Sequence, residues 1–190
     1  PIEISKKRQL KKFDTDEHPK ATTIENLSEL KPIFVSNGTV TAGNSSGLND
    51  GAAAMLLSSD EGLKKFNLKP KARIISSAVV GVEPKIMGIG PVYASNKALN
   101  KANLSLDDMD VIEINEAFAA QSIAVIKELK IPKEKVNVNG GAIALGHPLG
   151  MSGTRLVLTA TQELIEKNLK YALCTMCVGV GPVSYTHLRA

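Results

Sequence analysis

One of the three histidines in this sequence lies in a run that also holds five of its 15 glycines: Asn139-Gly-Gly-Ala-Ile-Ala-Leu-Gly-His147-Pro-Leu-Gly-Met-Ser-Gly-Thr154. Pro148 restricts the residue before it to extended backbone, which fixes where the imidazole points. The glycines allow positive φ and close backbone approach. Ser152 reads as the cap of a following helix. A helix N-terminus holds a nearby imidazole neutral, the state a general base needs. The competing reading is a glycine-rich turn whose His147 bonds a carbonyl, and spacing alone does not separate the two. A phosphate cradle has less support, since neither G-x-x-x-x-G-K-[ST] nor G-x-G-x-x-G occurs in the run.

A second segment, Cys174-Thr-Met-Cys177-Val-Gly179-Val-Gly181, contains both cysteines. A lone C-x-x-C fits a redox pair or half a metal site, but zinc would lack its other ligands, and no metal is expected. In a strand, residues 174 and 177 point to opposite faces, which argues against a disulfide. Cys177 with Gly179 offers instead a thiol beside an open backbone N–H, the parts of an acid/base and oxyanion site. Cys174 reads as buried and inert. A third segment, Asn115-Glu116-Ala117-Phe118-Ala119, stands where a strand gives way to a helix. Asn115 is either a cap or an amide that holds a water or a substrate carbonyl. Glu116, in the first helical turn, suits the helix dipole and needs no other role.

These residues need a scaffold, and the chain has the composition for one. It has 190 residues, 43% hydrophobic and 22% charged, enough to bury a sizeable core. Twenty-three Lys and Arg against 19 Asp and Glu leave +4, scattered along a chain with 4% aromatics and no Trp. A nucleic-acid footprint would be a clustered basic patch, so no nucleic-acid partner is expected. No apolar run approaches the roughly 20 residues that cross a bilayer, and no membrane role is expected. Two cysteines suit a reducing compartment, so a cytoplasmic location is expected. The sequence starts at Pro1 with no signal peptide, as expected of a chain that begins inside a longer one.

Residues 1–30 read as a polar surface loop with a short helix. They carry a basic run (Lys6, Lys7, Arg8, Lys11, Lys12) followed by Asp14, Asp16 and Glu17. Asn37-Gly38 and Asn49-Asp50-Gly51 signal turns. The apolar run 52–57 reads as a buried strand after a polar, glycine-rich loop. A helix is expected over 60–70 and a β-branched strand over 72–82. A second helix spans 92–102, with Ala94, Ala98, Leu99 and Ala102 on one face. Ser105 and Asp108 resemble a helix cap. A strand over 111–114 leads to a helix over 116–129 that is apolar almost all round. A strand follows at 136–139, then a helix at 154–168 with Val157, Ala160, Leu164 and Ile165 inward, then a buried strand at 171–178. Alternating strands and helices predict an α/β layered fold.

Taken together, the three segments resemble the thiolase family of acyl-CoA acyltransferases, most closely the acetyl-CoA acetyltransferase type. Gly38–Ala54 and Met87-Gly-Ile-Gly-Pro91 resemble it as well, so five motifs lie in register up to about residue 181. The resemblance implies a layered αβαβα fold, of which this chain is an incomplete C-terminal half. It would comprise the end of a loop domain (1–31), the close of the N-terminal half (32–60), the C-terminal domain (61–181) and an unrelated or truncated tail (182–190). The implied reaction is Claisen condensation of two acetyl-CoA to acetoacetyl-CoA, or thiolysis of a 3-ketoacyl-CoA, through an acyl-cysteine, with a place in fatty-acid metabolism.

By the same resemblance, His147 activates the nucleophile and stabilises the enolate oxygen, and Cys177 is the acid/base. Asn115 positions a water in the enolate oxyanion hole, and the Gly179 N–H serves the tetrahedral intermediate. Ala42, Gly43, Ser46, Met87 and Phe118 line the pantetheine tunnel. CoA thioesters are substrates and no bound cofactor is implied. The partners implied are the missing N-terminal half and further copies, as a homodimer or homotetramer. Two departures stand out. The nucleophilic cysteine has no counterpart here, and Pro182–Ala190 continues nothing in the pattern, so His187 and Arg189 receive no role. The alternatives are a non-catalytic CoA-binding or regulatory half-subunit, and a ketoacyl-synthase-like condensing enzyme. The latter has a second histidine or asparagine where Cys177 stands.

Overall fold

In the strand Val111–Ile114 every side chain is buried, and the strand's alternation divides them between two cores. The computed structural model describes residues 2–6, 9–179 and 182–189, with side chains except at 6, 9, 11 and 182–189. Ile112 and Ile114 join Ala78, Val92, Ala94, Ala98, Leu99, Val125 and Leu173 in one cluster. Val111 joins Leu156, Ala160, Leu164, Ala172 and Cys174 in the other. A strand buried on both faces reads as a near-continuous apolar run, as Tyr171–Cys177 does.

The chain opens with a hairpin, β1 (Ile2–Lys6) and β2 (Gln9–Phe13), paired antiparallel. A short helix follows, α1 (Ile24–Ser28), capped by Thr23, whose hydroxyl accepts from Asn26 N. The 1–30 segment is therefore a surface hairpin and helix rather than a loop and helix. Of its basic run, Lys12 pairs with Asp14 at 3.0 Å in the open, while Lys7 and Arg8 lie outside the described residues. The helix expected over 60–70 is α2 (Asp60–Phe66), capped by Ser59 and closed by Asn67 at φ 50°.

β3 (Arg73–Gly81), a short 3-10 segment (Pro84–Ile89) and α3 (Gly90–Ala102) come next. Then come β4 (Val111–Ile114), α4 (Ala119–Leu129), α5 (Ala142–Leu145), α6 (Ser152–Glu166), β5 (Tyr171–Cys177) and β6 (Pro182–Arg189). The sheet order is β3-β6-β5-β4. β4 and β5 run parallel, while β6 is antiparallel to both of its neighbours. α3 packs on one face of the sheet and α6 against β4 and β5, on the face of the second core, giving the expected layered α/β fold. Pro182–Arg189, expected as a tail outside the family pattern, runs as a strand within this sheet.

Several elements differ from the sequence reading. Residues 52–57 form no strand, and Leu56 and Leu57 are 80% and 66% exposed, because among the described residues no strand pairs with them. Ser105 N and Oγ bond Asp108 Oδ2 at 2.8 and 2.7 Å, but they close a turn rather than cap a helix. α4 buries one face only (Gln121, Ser122, Val125) and leaves Ile123 exposed. Residues 136–139 make a single bridge, Val136 to Ile112, because Asn137 takes a left-handed φ of 46°. On α6 the buried face is Leu156, Ala160, Glu163 and Leu164, with Ile165 turned out.

Candidate active site

β4 ends at Ile114, and Asn115 continues its line, donating its own N–H to Thr175 O of β5 at 2.9 Å. Odd-numbered residues of β4 face α6, so Glu113 and Asn115 lie on the same side. Both are fully buried. The glycine-rich run reaches them from the far side of α5. Gly146, at φ +106°, turns the chain out of α5 in a conformation that a side chain would strain. His147 then forms a parallel bridge with Leu48 and donates its N–H to Asn49 Oδ1 at 3.0 Å. Pro148 and the start of α6 follow at once.

The imidazole, 8% exposed, is held at both nitrogens. Nε2 lies 3.2 Å from Asn115 Nδ2, and Nδ1 lies 2.5 Å from Ser152 Oγ. Ser152 Oγ also donates to Pro148 O at 3.0 Å. A hydroxyl has one proton, so a Ser152 committed to Pro148 O offers only a lone pair to Nδ1. Nδ1 must then carry the imidazole proton, and Nε2, facing the donor Asn115 Nδ2, is the acceptor. In that arrangement the ring is neutral and Nε2 is its acceptor. Burial lowers its pKa first, and the nearby Arg155 charge lowers it further.

The contacts differ from those the local sequence suggests. His147 bonds Asn115 and Ser152 rather than a carbonyl, and Asn115 is not a helix cap. Ser152 is not a cap either. Met151 precedes α6, no side chain caps it, and the serine hydroxyl serves the imidazole.

Cys177 ends β5, two residues past the Thr175 carbonyl that binds Asn115 N. Its thiol is 5% exposed and pushed up in pKa by burial, and among the described residues no hydrogen bond joins it to His147. Gly179 follows in an exposed turn where a Cβ would meet nothing within 4 Å; Gly181 lies outside the described residues. Cys174 is free, buried beside α6 and raised in pKa by burial, its thiol 3.6 Å from Leu156 O. That fits the inert reading.

Of the residues read as tunnel-lining, Ala42, Gly43, Ser46 and Phe118 sit on two segments that meet, and Met87 on a third. Ser46 N donates to Ala117 O at 3.0 Å, Ala119 N to Asn44 O at 2.8 Å, and Ser45 bridges Phe118. Phe118 stacks edge-on against Phe34, centroids 6.2 Å apart. Ala42 is exposed. Gly43 faces Leu27 and Leu30, where a Cβ would come within 2.6 Å of Leu27 Cδ2. Met87 is half-buried on the 3-10 segment, next to Gly88, which packs on Gln121 of α4.

The sequence reading missed Asn49, Glu113, Glu116, Asn137 and Arg155. Arg155 Nη1 meets Glu113 Oε2 at 2.9 Å beneath the Asn115–His147 pair. Glu116, read as needing no role, accepts Asn137 Nδ2 at 2.9 Å and Ile143 N at 3.1 Å. Each of these pairs spans 21 or more residues, so local spacing carries no trace of them. Among the described residues no cluster of three or more His, Cys, Asp or Glu is placed to hold a metal, and no helix is long and apolar enough to cross a membrane.

Residues 68–189 match the family described as thiolase, C-terminal domain, and residues 1–61 match thiolase, N-terminal domain. The chain is 58% identical over 172 residues to the beta-ketoadipyl-CoA thiolase of Acinetobacter baylyi, covering 89% of this chain and 43% of that protein. It is 51% identical over 183 residues to the acetyl-CoA acetyltransferase of Syntrophomonas wolfei, covering 95% and 46%. The crystal structure of human mitochondrial 3-ketoacyl-CoA thiolase superposes with a TM-score of 0.93 at 48% identity, covering all of this chain and 48% of that one. The same human protein in complex with CoA superposes at 0.91, covering 99% of this chain and 47% of that one at 48% identity. The chain thus spans a little under half the length of the relatives it matches.

Proposed function

The chain belongs to the thiolase family, and from that premise we propose that it is the C-terminal part of an enzyme that cleaves or forms 3-oxoacyl-CoA thioesters. The observation that carries this reading is the hydrogen-bond chain Pro148 O–Ser152–His147–Asn115, which leaves Nε2 as a buried, neutral proton acceptor. In thiolysis a cysteine thiolate, activated by His147 and supplied from outside this chain, attacks the 3-oxo carbon. The C2–C3 bond breaks, leaving an acyl-cysteine and the enolate of acetyl-CoA. Cys177, whose thiol keeps its proton at neutral pH, returns that proton to the enolate carbon, and CoA then takes the acyl group. His147 and a water held by Asn115 stabilise the enolate oxygen, and the Gly179 N–H serves the tetrahedral intermediate. Ala42, Gly43, Ser46, Met87 and Phe118 contact the pantetheine arm.

The family matches over 1–61 and 68–189 support a division between the two halves near residue 60. We place the whole enzyme in the cytoplasm as a homodimer or homotetramer. An acetyl substrate is the first reading, giving acetoacetyl-CoA thiolysis. The 58% identity to a beta-ketoadipyl-CoA thiolase favours a second one, a 3-oxoacyl chain that ends in a carboxylate.

The test compares thiolysis of acetoacetyl-CoA and 3-oxoadipyl-CoA by the full-length protein and by the 190-residue chain. Activity is expected in the full-length protein alone, and turnover by the short chain would overturn the claim that the nucleophile lies outside it. In the full-length protein Cys177→Ala should abolish condensation while acylation of the nucleophile stays visible by mass spectrometry. Surviving condensation would remove Cys177 from its role.

A further inference from the structure

Asn115 and His147 come from segments 32 residues apart, and a third side chain fastens those segments together. We infer that Glu116 is a positioning residue for His147: its carboxylate fixes how the 140–147 loop leaves the end of β4, and so how the imidazole meets Asn115. The inference rests on the reading of His147 and Asn115 as catalytic groups.

Both carboxylate oxygens are used as acceptors. Oε1 takes Asn137 Nδ2 at 2.9 Å and Oε2 takes Ile143 N at 3.1 Å. Asn137 is itself locked to β4: its Oδ1 accepts Ile114 N at 2.8 Å and its Nδ2 donates to Ile114 O at 2.9 Å. Ile143 lies in the first turn of α5, where backbone N–H groups lack a helical partner. Its carbonyl is held from the other side, 3.0 Å from His18 Nε2.

Between them, Gly141 lets the loop close over the carboxylate, since a Cβ there would stand 2.1 Å from Glu116 Cδ. From Ile143 the chain reaches His147 through one tight turn, with Leu145 N on Gly141 O and Gly146 N on Ala142 O, both at 2.9 Å. A shift at Glu116 therefore has little slack in which to fade before the imidazole. A carboxylate suits the place because it presents acceptors alone to two donors. A glutamine would turn an N–H toward one of them.

The test is steady-state thiolysis by the full-length protein, below the melting point of every variant. Glu116→Gln should lower kcat about tenfold and Glu116→Ala about 100-fold with KM within about twofold, the scale of a misplaced catalytic group. Gly141→Ala, which evicts the same carboxylate, should match Glu116→Ala. The double variant should fall no further than the worse single one, because both changes break one coupling. His147→Ala is run alongside. If it abolishes turnover while Glu116→Ala stays within twofold of the parent, the inference fails and the catalytic reading stands. If His147→Ala keeps its turnover, the catalytic reading fails. Multiplying losses in the double variant, or losses confined to KM, also overturn the inference. Should Glu116→Ala not fold, Glu116→Gln and Gly141→Ala carry the comparison.

Discussion

Glu113 brings a carboxyl group to a place water does not reach. One oxygen meets Arg155, while Glu113 Oε1 and Arg155 Nη2 have no partner among the described residues. Burial drives its pKa from the ordinary 4.5 up to about 7, against the pull of the Arg155 charge. The folded value lies above the unfolded one, so the native protein holds this proton more tightly. The stabilisation linked to that proton is fully present below about pH 4.5 and is lost as the pH rises to about 7. His147 runs the other way: with its folded value depressed, it favours the folded state above its unfolded pKa and loses that contribution as the pH falls. Glu113→Gln removes the first effect and leaves the second. The variant should melt below the parent at pH 5, where Glu113 is already a neutral acid, because the buried amide brings two N–H donors where the acid brings one O–H. By pH 8 the gap should narrow by about 3 °C or more, at a few degrees per kcal/mol for a domain of this size. A gap that is constant or widens with pH would mean that Glu113 is ionised throughout.

At the scale of elements, the most instructive segment is Val136–Asn139, whose alternation reads as a strand. Asn137 breaks it. With its backbone left-handed, it gives the open edge of β4 a side-chain amide in place of a neighbouring strand: Oδ1 for Ile114 N, Nδ2 for Ile114 O, and its own N–H for Ile112 O at 2.9 Å. Asn137→Ala loses the side-chain bonds and keeps the strained φ, and should cost about 2–4 kcal/mol. Asn137→Gly relieves the φ alone and should fall between parent and Ala by thermal melting. A glycine variant as stable as the parent would show that the bonds contribute nothing.

The same segment marks how far the sequence could be read. α3, β3, β4, β5 and α6 emerge near their expected bounds because each carries its own apolar period. His147 and Asn115 stand out because glycines and a strand end isolate them. What escaped mostly needs a partner distant in the chain: Glu116 to Ile143, Arg155 to Glu113, Asn137 to Ile114; Ser152 turns to an imidazole only five residues away, where a cap was the local expectation. An alternating pattern shows that a strand is possible, not whether an edge waits for it.

At the scale of the molecule, the same limit explains residues 52–57. Their apolar run is strand-like, yet Leu56 and Leu57 are open, as are Phe34 and Val35, each 68% exposed, and Leu48 at 90%. Adjacent exposed leucines such as Leu56 and Leu57 fit a place that a longer chain covers, and the chain spans under half of its relatives. On the proposal that the rest of a thiolase covers Leu56 and Leu57, one pair of substitutions should act with opposite signs in two settings. In the 190-residue chain, Leu56→Ser with Leu57→Lys removes exposed apolar surface and should raise the soluble, monomeric fraction and lower the binding of a hydrophobic dye. In the full-length protein the same changes strip buried leucines, each worth about 1.5–3 kcal/mol, and should lower the melting temperature by several degrees. Size-exclusion chromatography of the first and melting of the second are sufficient. If the full-length protein tolerates both changes without loss, residues 56 and 57 are exposed there too, and the rest of the enzyme covers some other face.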